Sequence, residues 1–309
     1  MWEGRPPLGW FVDLSSPSFW TFVLVVLASI RFLRLLSAPE KPRVTIMEDS
    51  SQTFVGQVLG KMQILHEVLE NGYRCAVLNH LGALVDEIVT SPRIFSYGGI
   101  EELETMITTV TSRYPSTKLI CIGFSMGANI TTQFLLNTND MLKSRCILGL
   151  SVCQGYSATI SAPMYHDWEN GRRAYNLVIV ENMKRLLRRN YQMAVLPHSQ
   201  SGRVNEERLW AATSIIAVDE EYSRRVAGFP SVDEFYQWCS CLPHLHKLKA
   251  LASSHKETAF ISTKHGGHLG FLEGDSFSPL SVTWLDKFIV QMANAATEVY
   301  REKIDSAVF

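Results

Sequence analysis

Neither sign of charge dominates this chain. Across 309 residues, 29 Lys and Arg stand against 30 Asp and Glu, a net charge of −1. With no basic stripe interleaved with aromatics, that balance argues against a nucleic-acid partner. The six cysteines build neither a disulfide framework nor a metal site. Cys75, Cys121, Cys146 and Cys153 lie in apolar runs, where a thiol behaves as a small hydrophobe, and Cys239-x-Cys241 lacks both zinc spacing and a second pair. No cofactor is implied. Internal repeats and low-complexity tracts are absent. A charge-free run of the roughly 20 apolar residues that a membrane span needs is missing too.

The nearest thing to such a run is Phe19–Ile30, followed by Arg31-Phe32-Leu33-Arg34-Leu35-Leu36. Arg31 and Arg34 can snorkel and lengthen the apolar segment. No small-x-small cleavage site follows cleanly, which disfavours a removed signal peptide. Residues 19–36 are therefore expected to be a membrane-anchor helix, the alternative being a buried or interfacial helix. Arg31, Arg34, Lys41 and Arg43 follow the segment and only Arg5 precedes it, a bias that places the main domain on the cytosolic side.

What the chain has is apolar mass: 46% of its residues are hydrophobic, enough for one large α/β domain or two smaller ones. Residues 1–18 read as irregular and 37–42 as a linker. The main domain is expected over 43–300. Arg43–Met47 is a possible strand, Gln57–Glu70 reads as a helix stopped by Asn71-Gly72, and Cys75–Asn79 as a strand. Glu101–Tyr114 is an amphipathic helix ended by Pro115. Lys118–Ile122 and Arg145–Cys153 read as buried strands, and Thr258–Thr263 as the closing one. Strands alternating with helices predict a mainly parallel, doubly wound sheet. From about 157 to 236 the pattern turns helical and arginine-rich, as in an inserted cap. The arginines there, including Arg172, Arg173, Arg185, Arg188 and Arg189, read as a solvated helix face.

The chemistry starts at Gly123-Phe124-Ser125-Met126-Gly127, which has the G-x-S-x-G form. An apolar strand precedes it and a helix, Ala128–Leu136, follows. A sharp strand-to-helix turn places a serine hydroxyl at the open end of a sheet, and Gly123 and Gly127 let strand and helix pass closely. The N–H of Met126, at the helix start, is the expected oxyanion donor. The alternative is a tight turn with an incidental serine.

A serine nucleophile needs a base, and the base an orienting carboxylate. Just past the closing strand comes Lys264-His265-Gly266-Gly267-His268-Leu269-Gly270-Phe271. His268, flanked by glycine, is the expected base and His265 the second choice. The acid has no clear candidate. Residues 241–263 hold one carboxylate, Glu257, at the far end of a strand about 17–20 Å long. The loop Gln154-Gly155-Tyr156 holds none, while Asp219, Glu220, Glu221, Asp233 and Glu234 read as solvent-facing. A second oxyanion donor could come only from near Thr53-Phe54-Val55-Gly56, a very short strand. An acyltransferase H-x-x-x-x-D motif fails by one residue, because five residues separate His80 from Asp86.

Asn71–Leu84, Thr90-Ser91-Pro92-Arg93, the Ser125 turn, Ser151–Ala158 and Gly266–Phe271 together resemble the membrane-anchored AB hydrolase family of acylglycerol lipases and esterases, over about residues 57 to 300. The resemblance implies the α/β-hydrolase fold with a helical cap, a single membrane anchor, and hydrolysis of monoacylglycerols and short acyl esters. It also implies Ser125 as nucleophile and His268 as base. Similar proteins carry a strand and Pro-Gly oxyanion loop that have no counterpart near 48–56, and a strand ending in aspartate that has none near 246–256. The chain thus resembles a shortened member. Two readings follow: a membrane-bound serine hydrolase of lipid esters, or a non-catalytic relative that binds a lipid or a partner protein through the old pocket.

Overall fold

A computed structural model describes residues 53–56, 62–167, 172–245, 259, 261–263, 268–269, 271, 274–275, 278–279 and 282–307. All belong to one compact unit, Val44–Phe309. The expected anchor at 19–36, the linker at 37–42, the strand at 43–47, Glu257 and His265 lie outside the described residues.

The sheet is built from β1 (Thr53–Gly56), β2 (Arg74–Ala76), β3 (Lys118–Phe124) and β4 (Cys146–Val152), in the order β2-β1-β3-β4. Every pairing is parallel: Val55 lies opposite Cys75 and Ile120, and Ile122 opposite Leu150. The helices that matter to the sheet are α1 (Met62–Glu70), α2 (Glu101–Arg113) and α3 (Met126–Asn137). Pro115 follows the end of α2, and Gly72 takes φ +83° just beyond α1, a left-handed position that glycine occupies without strain. The helical segment holds α4 (Ala158–Met164), α5 (Arg172–Arg189), a series of short turns, and α6 (Val232–Cys239). A two-residue antiparallel pair, β5 (Gly274–Asp275) and β6 (Ser278–Pro279), precedes the long α7 (Trp284–Ala307).

Side chains alternate across β3 with period two. Ile120, Ile122 and Phe124 pack with Ile64 and Val68 of α1 and with Leu285, Ile289 and Ala293 of α7. Leu119 and Cys121 face the other way, onto Leu103 and Ile107 of α2 and Ile130 and Phe134 of α3. A parallel strand with helices on both faces is apolar on both faces, and β3 is buried from Leu119 to Phe124. Each such isoleucine contributes roughly 1.5–3 kcal/mol by burial. The helical segment has its own core, including Val180, Leu187, Val195, Leu209, Val218 and Tyr222.

Three expected strands are corrected. The strand read at Cys75–Asn79 is Arg74–Ala76, because its ladder partner β1 ends at Gly56, opposite Ala76. β4 is not fully buried: Gly149 and Ser151 are exposed, since among the described residues β4 is the outer strand of the ladder, with β3 on one side only. The closing strand read at Thr258–Thr263 is not a strand at Ala259 or Ile261–Thr263, all exposed. A strand joins a sheet only through a neighbour, and among the described residues none pairs with this segment. By contrast β1, expected as a marginal strand, is the inner strand that joins β2 to β3. Among the described residues no helix is long and apolar enough to cross a membrane.

Candidate active site

Ser125 sits between the end of β3 and the start of α3 with φ +52° and ψ −113°. That conformation costs of order 1–3 kcal/mol and persists only where the surroundings enforce it. Here they do. The Ser125 N–H donates to Val152 O at 2.9 Å, and its carbonyl accepts from the Ala128 N–H at 3.1 Å. Among the described residues the non-glycine positions with positive φ are Ser125, Cys153 and Leu269. One is the turn serine, one directly follows β4 beside it, and one follows His268. Backbone strain is concentrated around a single place at the C-terminal end of the sheet.

Gly123 has a steric reason to be glycine. A Cβ there would meet Gly127 O at 2.0 Å and Thr131 Oγ1 at 2.5 Å. Gly127 itself is buried on α3, so helix and strand pass backbone to backbone.

His268 arrives from far along the chain, and its Nε2 lies 2.8 Å from Ser125 Oγ. With the ring proton on Nδ1, Nε2 accepts the serine hydroxyl hydrogen. His268 is exposed and Ser125 half-buried, so the pair faces solvent. Met126 is the first residue of α3, a position whose N–H has no acceptor within the helix. β1 runs parallel to β3 and points toward the Ser125 end of the sheet, with Gly56 opposite Cys121, four residues before the serine. Among the described residues no carboxylate hydrogen-bonds to His268, and no group of His, Cys, Asp and Glu could hold a metal ion.

Several carboxylates are accounted for elsewhere. Asp219, read as solvent-facing, is buried and accepts from Tyr236 OH at 2.8 Å. The reading failed because Asp219 lies on a helical turn whose inner side is packed by Tyr222 and Val218. Burial pushes its carboxyl up to about 6, against the opposing bonds from Ser223 and Tyr236. Glu220 and Glu221 pair with Arg224 and Arg225, whereas Asp233 and Glu234 are exposed. His80 is buried with Nδ1 3.1 Å from Glu102, which also pairs with Arg93 at 3.1 Å, so it is committed to the fold and not to an acyltransferase motif. Arg189 also departs from the solvated-face reading, since it donates to the carbonyls of Gly82 and Ala83.

A buried polar network behind the nucleophile turn escaped the sequence reading. Gln154, noted only for not being an acid, turns its side chain inward: Oε1 accepts from Thr132 Oγ1 at 2.8 Å and from Ser151 Oγ, and Nε2 donates to Asn129 Oδ1 at 3.2 Å. Asn129 lies one turn after Ser125 and is fully buried. The available signal was the run Asn129, Thr131, Thr132 and Gln133 in a helix packed too closely on its strand to leave polar residues in water.

The chain is 35% identical over 262 residues to "Monoacylglycerol lipase ABHD2" of Homo sapiens, a match covering 76% of this chain and 61% of that protein. It is 35% identical over 249 residues to "Abhydrolase domain-containing protein 2" of Drosophila melanogaster, covering 73% of this chain and 63% of that one. Against "Phospholipase ABHD3" of Homo sapiens it is 24% identical over 263 residues, covering 77% and 60%. The chain thus spans about six tenths of the length of these relatives. No family model matches it, and no solved structure does. At 35% identity over about three quarters of its length it is an ABHD2-like chain, and that kinship implies the α/β-hydrolase fold for its parallel sheet and flanking helices.

Proposed function

We propose that the chain is a serine hydrolase of lipid esters, with monoacylglycerols and short acyl esters as its substrate class. The observation that carries this reading is the strained Ser125 turn with His268 Nε2 2.8 Å from the hydroxyl. Ser125 Oγ attacks the ester carbonyl carbon as its proton passes to His268 Nε2. The oxyanion forms beside the Met126 N–H and the positive end of α3. Collapse expels the alcohol, which takes the proton from His268, and water then releases the acyl group by the same route. The names of the relatives supply the lipid substrate class, and residues 157–236 are assigned as the cap over this site. Residues 19–36 are assigned as a single-pass anchor with the hydrolase domain on the cytosolic side.

A fluorophosphonate probe tests the chemistry. Wild-type protein is expected to label, while Ser125→Ala and His268→Ala are not. Labelling that persists in Ser125→Ala would sink the assignment. The described residues offer His268 no acid, and a triad lacking one loses about ten-thousand-fold in kcat while the oxyanion site and binding retain their share, so the rate of labelling relative to a complete triad reports whether an acid lies outside them.

The second reading is a catalytically impaired relative that binds a lipid or a partner protein in the same pocket. It is favoured by the lack, among the described residues, of a carboxylate bonded to His268. A folded sample that binds lipid and never labels supports it.

A further inference from the structure

The helical segment leaves the sheet at Gln154–Ala158 and returns at Cys239–Leu242, and the two necks are stitched together. The N–H groups of Cys241 and Leu242 donate to Tyr156 O at 3.1 and 2.9 Å. The Ala158 N–H donates to Ser240 Oγ at 2.9 Å, and Gln154 Nε2 lies 2.7 Å from Cys241 Sγ. Both necks then reach one side chain on α3. Asn129 Nδ2 donates to Cys239 O at 2.8 Å and to Tyr97 O at 3.0 Å, while its Oδ1 accepts from Gln154. Gln133, one turn on, donates to Trp238 O at 3.2 Å. The Tyr97 hydroxyl closes the ring by donating to Gly155 O at 3.0 Å.

Asparagine is a poor helix former, and a fully buried amide is costly unless its hydrogen bonds are made. Asn129 makes these three with three different segments and none with its own helix. Both of its N–H donors and its carbonyl oxygen bond other chain segments, seating them on the helix that starts at Ser125. Directly past the first neck, α4 carries Ile160 and Met164, exposed and one turn apart. Directly before the second, Phe235, Tyr236 and Cys239 form an apolar cluster with Ala162 of α4.

We propose that Asn129 is a positioning residue that fixes the base of the helical segment on the nucleophile helix and so sets which acyl chain lengths the site accepts. This rests on the serine-hydrolase reading. Of the two α3 amides that hold the segment's base, Asn129 is the one that bonds both necks, so loosening it moves the apolar base that a long chain would meet and leaves the serine–histidine pair in place.

The test compares wild type with Asn129→Asp, Asn129→Ala and Gln154→Met. Three quantities are read: the rate of labelling by a short-chain fluorophosphonate, kcat and KM for p-nitrophenyl butyrate and dodecanoate, and Tm. The ratio of kcat/KM for the long ester to that for the short one is expected to change about tenfold, mainly through KM, as for the loss of one or two buried hydrogen bonds. Labelling is expected to stay within about threefold of wild type, because Ser125 and His268 are untouched. Should Asn129→Ala fail to fold, Gln154→Met loosens the same neck from the other side and must shift the ratio alone. Both esters slowing together in step with a lower Tm, at constant ratio, would overturn the proposal while leaving the hydrolase reading intact. Wild-type protein that never labels would overturn both.

Discussion

Replacing Gly123 with alanine puts a methyl group where there is no space. The new Cβ would lie 2.0 Å from Gly127 O, 2.4 Å from Gly127 C and 2.5 Å from Thr131 Oγ1. Two of these are backbone atoms in a buried turn of α3, so no side-chain rotation relieves them. The first is 1.0 Å inside the 3.0 Å that real Cβ atoms essentially never cross. Helix and strand must separate by a comparable distance, and overpacking of this kind costs about 1–3 kcal/mol. For a domain of this size that lowers Tm by roughly 2–12 °C. The larger effect is on chemistry. A displacement near 1 Å moves the Ser125 hydroxyl and Met126 N–H off the line to His268, and a misplacement of that size costs about a hundredfold in rate. Gly149→Ala is the matched control. Its Cβ would also come to 2.5 Å, but from Leu135 Cδ1, the movable end of a half-buried side chain. That change is expected to cost within about 0.5 kcal/mol and to leave labelling unaltered. Labelling rate and thermal melts of the two variants decide the matter. Wild-type labelling in Gly123→Ala would refute the claim that close backbone passage at this turn positions the serine.

Two further predictions concern one buried and one half-buried carboxylate. Asp219 rises from an ordinary 3.8 to about 6 through burial, so its stabilising neutral form is complete below pH 3.8 and its contribution is lost as pH rises through about 6. Asp219→Asn should therefore gain on wild type by up to about 3 kcal/mol between pH 4 and pH 8, measured by urea unfolding, and a pH-independent gap would contradict this. Burial raises the Glu102 carboxyl, but His80, Arg93 and the Leu81 N–H outweigh it and hold the group below its usual value. Its contribution is thus present above pH 4.5 and lost in acid. Glu102→Gln should cost about 1–3 kcal/mol at neutral pH and progressively less below pH 4.5. Equal losses at pH 7 and pH 3.5 would show that the charge is not what holds the His80 loop.

The nucleophile turn was legible because its signals are local: an apolar run, a G-x-S-x-G and a helix pattern share about twenty residues. α2 was legible for the same reason, bounded by acidic residues at its start and Pro115 at its end. β1 was harder to weigh. Four residues make a poor strand by themselves, and their role comes from two neighbours far away in sequence. The length of β2 depends in turn on where β1 stops. The closing strand was misread because Thr258–Thr263 has a strand-like composition, whereas joining a sheet depends on a partner that composition does not reveal. Asp219 was misjudged as a polar residue assigned to water although packing had already enclosed it, and Gln154 was passed over because only a carboxylate was sought there. His268 was picked out by its glycines, and its contact with Ser125 spans 143 residues of chain.

That span sets the order in which the site comes into being. The turn itself is made by β3, α3 and β4, neighbours in sequence, and its main-chain bonds from Ser125 to Val152 and Ala128 lie within that stretch. It can form early, while loop closure is still inexpensive. The histidine comes from the last fifth of the chain, the same region whose helix α7 packs against Ile120 and Ile122. A nascent chain released before residue 268 is made would thus carry a finished serine turn and no base, so the hydroxyl stays unactivated until that late segment has been synthesised.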